Sequence, residues 1–108
     1  SREPSLDEDT RVALFRCFQE IITNVARHAA ATRVDIYLKH RDGEVELEIM
    51  DNGVGIAPNE RDRGGAFGLI GMRERMAAVG GTLGIVPRDG GGTTVWLRVN
   101  SAVSGRTI

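Results

Sequence analysis

Between residues 7 and about 30 the apolar positions recur every three or four residues: Leu14, Cys17, Phe18, Ile21, Ile22, Val25 and Ala29. That spacing lays one apolar stripe along a helix. Asp7, Glu8 and Asp9 stand near its start, where the positive end of the helix dipole favours them. The period then drops to two. Arg33 to His40 alternates, with Val34, Ile36 and Leu38 on one side, and predicts a strand. Arg41, Asp42 and Gly43 form a hairpin turn. A second strand follows from Glu44 to Met50, with Val45, Leu47 and Ile49 facing inward. Residues 52 to about 66 are polar and rich in glycine, without periodicity. "FGLIGMRERMAAVG" predicts a second helix ended by Gly80 and Gly81. "TLGIVP" and "TTVWLRV" are two further strands joined by the turn "RDGGG". The order helix, hairpin, helix, hairpin predicts a two-layer α/β sandwich, a mixed sheet covered on one face by both helices.

Composition narrows the class. The 108 residues amount to one domain, and 41% hydrophobic with 27% charged residues suits a soluble globular chain with a real core. A net charge of -1 gives no electrostatic footprint for nucleic acid or an anionic membrane. No apolar run reaches bilayer length, and "SREPSLDEDT" is not a signal peptide. Residues 1–11 read as a linker edge, 12–100 as the domain and 101–108 as a C-terminal tail. The single cysteine, Cys17, cannot form an internal disulfide, so a reducing, cytoplasmic setting and a place in the core are expected. The 14 glycines gather at 53 and 55, 64 to 71, 80 to 84 and 90 to 92, which marks turns or backbone that something approaches closely.

The first helix carries a second column, Arg16, Glu20, Asn24 and His28, each four residues from the last. It reads either as a solvated face with pairs such as Arg16 and Glu20, or as a site. Asn24 favours the second, because an amide is a middling helix former in mid-helix. A carboxylate and an amide one turn apart can hold a hydrated Mg²⁺ when phosphates supply the remaining ligands. Asp51 ends an inward-facing strand, where its carboxylate can accept from an exocyclic amine such as adenine N6. Gly53 and Gly55 would let backbone lie against the base; the same stretch also reads as a strand-ending turn. Gly64, Gly65 and Gly68 precede the second helix, whose free N–H groups and dipole suit an anion. Thr93 or Thr94 can lend a hydroxyl to phosphate.

These segments resemble the ATP-binding domain of sensor histidine kinases, in the GHKL superfamily with gyrase, the mismatch-repair ATPases and the heat-shock chaperone ATPase. "LFRCFQEIITNVARHA" resembles the family's N box, "DNGVGI" its first glycine box, "FGLIGMRER" its second and "GGTTV" its closing threonine segment. The likeness spans residues 12 to 99 and is greatest to the class that includes nitrate and membrane-fluidity sensors. It implies the Bergerat fold, ATP and Mg²⁺ as cofactors, Asn24 as metal ligand and Glu20 beside it as the acidic catalytic residue. It also implies ATP contacts from His28, Asp51, Gly53, Gly55, Ile56, Gly65, Phe67, Gly68, Leu69 and Thr93, with "APNERDRGGA" at 57–66 as a short lid. Ala66 stands where the family often has a glycine.

In such kinases the phosphorylated histidine is followed by an acidic residue, whereas Ala29 follows His28 and Arg41 follows His40. The acceptor is therefore expected on a separate dimerisation domain N-terminal to Ser1, with a response regulator receiver downstream. The isolated domain would be a monomer and the parent kinase a homodimer. Two rivals share the fold: an anti-sigma-factor kinase acting on serine, and a non-catalytic interaction module.

Overall fold

The computed structural model of the chain describes residues 6–53, 68–88 and 90–101. Helix α1 (Glu8–Asn24) starts at Asp7, whose Oδ1 accepts from the Thr10 N–H at 2.8 Å. Asp7 is the N-cap, satisfying one of the helix's orphan donors. At Asn24 the α-helix gives way to a π-helical turn, Val25–Ala29, which ends at Ala30 in a left-handed conformation (φ 50°). Strands β1 (Val34–Arg41) and β2 (Glu44–Asp51) are joined through Asp42 and Gly43, both at positive φ, the two-residue turn that matches strand twist.

Helix α2 (Leu69–Ala77) closes on Gly80 at φ 75°. The Gly80 N–H donates to Ala77 O at 3.0 Å and the Gly81 N–H to Met76 O at 2.8 Å, the paired bonds of a Schellman motif. Strands β3 (Thr82–Pro87) and β4 (Thr93–Asn100) complete the sheet, in the order β1-β2-β4-β3.

The α/β sandwich is present, with one correction: every described pairing is antiparallel, so the sheet is not mixed. β2 and β3 run in the same direction, but β4 lies between them. A parallel contact would need β3 directly beside β2, or β1 directly beside β4.

α1 packs on β4 and on α2, and α2 packs on β3. The core between the layers holds Cys17, Ile21, Ile49, Leu69, Met76 and Leu97, each contributing about 1.5–3 kcal/mol by burial for the large aliphatic side chains. The buried line of α1 is Thr10, Ala13, Cys17, Ile21 and Asn24, with Leu14, Phe18 and Ile22 half-buried at its flank. The helices leave the inner face of β1 uncovered. Register places Val34, Ile36 and Leu38 on the same face as Asp51, Ile49 and Leu47, yet Leu38 is 68% exposed and Phe15 of α1 59%. Among the described residues no helix is long and apolar enough to cross a membrane.

Candidate functional site

Asp51 is the last residue of β2 and is 4% exposed. Its partner across the ladder is Thr93, the first residue of β4, equally buried. A carboxylate and a hydroxyl therefore stand side by side on the inner face, at the end of the two central strands. The strand stops there because Asp51 turns its own backbone: Oδ1 accepts from the Gly53 N–H at 2.8 Å, an Asx turn.

Asn52 anchors the same point from the outside. Its Oδ1 accepts from the N–H groups of Thr32 and Arg33, both at 3.0 Å, and its Nδ2 donates to Thr32 Oγ1 at 2.9 Å. The β3–β4 turn closes over Asp51 from the other side. Arg88 Nη1 donates to Asp51 O at 2.9 Å. Gly92, at φ 99°, lies so close that a Cβ there would collide with Asp51 O. That contact, more than the turn itself, demands glycine at 92.

A second part of the site lies where the two helices approach. Asn24, 8% exposed, is the last α-helical residue before the π-helical turn, and such turns often mark functional positions. Glu20 is one helical turn earlier. Its Oε2 lies 3.5 Å from where a Cβ on Gly68 would stand, so the acidic residue of the first helix borders the N-terminus of the second. Gly68 holds φ +60°, which favours glycine, and no side chain among the described residues caps that helix start. The first N–H groups of α2 have no intrahelical acceptor, a helix start that can take an anion. Leu69 sends its side chain into the core, so only its backbone is available at that helix start.

The structure thus joins Asp51, Gly53 and Thr93 in one cluster and Glu20 with Gly68 in another. The side chain of His28, in the π-helical turn, lies outside what is described, as do Gly55, Ile56, Gly65, Phe67 and the expected lid at 57–66. Asn52, Arg88 and Gly92 are the contributors that sequence reasoning missed. The third glycine in "RDGGG" was a signal for one of them, since a tight turn alone needs fewer.

Residues 9–103 match the family model described as histidine kinase-, DNA gyrase B- and HSP90-like ATPase, and the chain belongs to that family. It is 45% identical over 83 residues to the signal transduction histidine-protein kinase/phosphatase UhpB of Salmonella typhimurium, covering 77% of this chain and 16% of UhpB. Over 92 residues it is 35% identical to the signal transduction histidine-protein kinase/phosphatase DegS of Brevibacillus brevis, covering 85% of this chain and 24% of DegS. Among solved structures, the ATP binding domain of PrrB from Mycobacterium tuberculosis superposes with a TM-score of 0.72 at 26% identity, over 85% of this chain and 69% of that one. The chain spans a quarter or less of the length of these two curated relatives.

Proposed function

We propose that this chain binds Mg-ATP and is the catalytic domain of a two-component sensor histidine kinase. In that role it donates the γ-phosphate to a histidine on a separate dimerisation and phosphoacceptor domain. The observation that carries the reading is the buried Asp51 paired with Thr93 at the end of the central strands. The Asp51 Oδ1 already accepts from the Gly53 N–H, and a carboxylate has acceptor capacity beyond that one bond, which an exocyclic amine such as adenine N6 can use. Gly53, Gly55 and Ile56 would flank the base, and Thr93 would add its hydroxyl.

Gly65, Phe67, Gly68 and Leu69 would border the phosphates, together with His28. The free N–H groups of α2 neutralise charge there, and phosphoryl transfer depends mainly on positioning and charge neutralisation. Asn24 and Glu20 offer hard oxygen atoms one turn apart, a donor set that suits Mg²⁺ when phosphates and water supply the remaining ligands. When bound, the ion would shield phosphate charge, while Glu20 serves as the acidic residue near the transferred group.

UhpB and DegS are named histidine-protein kinases, which favours histidine over serine as the acceptor. A response regulator receiver domain would take the phosphoryl group onward, and the domain would work in the cytoplasm. Calorimetric titration with ATP and with GTP, each with and without Mg²⁺, tests the reading. Binding that requires Mg²⁺ and prefers ATP is expected. No heat at millimolar ATP would reject it and leave a non-catalytic module.

A further inference from the structure

The turn between β3 and β4 does more than reverse the chain. The Arg88 N–H donates to Gly92 O at 3.1 Å and the Gly91 N–H donates to Arg88 O at 3.2 Å, so the turn is folded on itself. From that closed turn two groups converge on one atom of another hairpin, the carbonyl oxygen of Asp51. Arg88 Nη1 donates to it at 2.9 Å, and the Gly92 backbone presses on it without room for a Cβ.

Asp51 needs such a tie. It stands in the last pair of both ladders, opposite Val34 of β1 and Thr93 of β4; toward β1 the Asn52 N–H still donates to Arg33 O at 3.3 Å, while toward β4 no ladder pair follows it. Strand ends fray unless something outside the ladder fixes them. The Asx turn to Gly53 fixes Oδ1 relative to the backbone, but it moves with that backbone. The Arg88 backbone is held in the adjoining hairpin and its guanidinium reaches across to the Asp51 carbonyl, so it ties the end of β2 to that hairpin from the β4 side.

We infer that Arg88 is a positioning residue for base recognition: through the Asp51 carbonyl it sets the direction from which the Asp51 carboxylate meets an exocyclic amine. The inference rests on the nucleotide reading above. A hydrogen bond weakens steeply with misalignment, so a small displacement of Asp51 lowers recognition of the amine before it lowers anything else. Arg88 itself touches no ligand in this scheme.

The test uses the 108-residue chain and its variants Arg88→Met, Arg88→Gln and Arg88→Lys. Calorimetry gives the Kd for Mg-ATP and for Mg-purine riboside triphosphate, which lacks the 6-amino group, and thermal unfolding gives Tm. The unmodified chain should prefer ATP. In Arg88→Met and Arg88→Gln that preference should shrink by roughly three- to tenfold, the size expected of one hydrogen bond. Affinity for the analogue should stay the same, and Arg88→Lys should recover part of the preference because its ammonium can still donate to the carbonyl. Equal loss for both nucleotides, or no change in any variant, would overturn the role of Arg88 and leave the nucleotide site standing. Failure of the unmodified chain to prefer ATP over the analogue would instead remove base recognition by Asp51, and this inference with it.

Discussion

Asp51 is gripped by three segments, and each grip has a different chemical form: the Asx turn to Gly53, the neighbouring Asn52 bonds to Thr32 and Arg33, and the Arg88 donor to its carbonyl. Asp51→Asn keeps the shape and removes the charge. It should weaken ATP binding by about 1.5–3 kcal/mol, the worth of a charged hydrogen bond, or roughly ten- to a hundredfold in Kd. Parent-like affinity for Mg-ATP in that variant would remove Asp51 from the site. Asn24→Ala should mainly abolish the difference between titrations with and without Mg²⁺; an unchanged difference would move the metal ligand elsewhere.

Cys17 makes the opposite kind of case. It is fully buried, with Sγ 3.7 Å from Met72 O. Burial pushes its thiol pKa up, Arg75 opposing and Glu20 adding to the rise. With the folded value above the unfolded one, its contribution to stability is complete below the unfolded pKa and fades as pH rises through the folded one. Native chain should therefore resist alkylation that proceeds readily in guanidinium. Fast labelling of the native state at pH 8 would contradict its place in the core.

At this scale spacing and residue type suffice to flag Asp51, Asn24 and Thr93 as candidates, and the structure places two of them, Asp51 and Thr93, side by side. Arg88 was not legible, because nothing local tells an arginine in a turn which carbonyl of another hairpin it will meet.

The elements show the same division between local and distant causes. Asp7 caps α1, and hydrogen bonding to Thr10 holds its carboxyl below the ordinary carboxylate value. A depressed folded pKa means that the cap's stabilisation is present above the unfolded value and lost as pH falls through the folded one. Asp7→Ala should lower Tm at pH 7, Asp7→Asn should retain most of the stability, and the gap between wild type and Asp7→Ala should narrow below about pH 4. A pH-independent gap would remove the carboxylate from the explanation.

Both ends of the helical run were visible in sequence, but the change of ladder inside it was not. Val25 and Ala29 continue the apolar stripe past Asn24, so periodicity alone cannot tell an i→i+4 ladder from the π-helical turn that replaces it. Gly84 stands inside β3, among the glycines whose clustering pointed to turns or to a close approach. It lies opposite Trp96, whose indole fills the space a side chain would occupy, and Trp96 in turn carries the Arg98 guanidinium 4.5 Å from its ring centroid. Gly84→Ala should lift the indole and cost about 1–3 kcal/mol, as overpacking does. Because Trp96 is the only tryptophan, a shift in intrinsic fluorescence should accompany the lower Tm. Unchanged emission with unchanged Tm would mean that the ring has room to spare.

For the whole molecule, the two hairpins follow from their turns, whereas the central β2–β4 pairing joins segments more than forty residues apart and left no local trace. That pairing decides two things at once. It brings Thr93 beside Asp51, and it pushes β1 to the edge of the sheet. The alternation in β1 promised a covered face, yet Ile36 and Leu38 are exposed and border a shallow apolar groove with Leu6, Leu14, Phe15 and Phe18. Exposed apolar surface contributes little to folding and lowers solubility. Replacing Leu38 with Lys and Phe15 with Gln should therefore leave Tm within the change produced by about ±0.5 kcal/mol, the usual range for surface sites. It should leave Mg-ATP affinity untouched, since neither residue lies near Asp51 in the β-ladder or near Gly68. Light scattering at high concentration should show less self-association than the parent chain. A large fall in Tm would mean that these side chains are core residues in solution and that the inner face of β1 is covered after all.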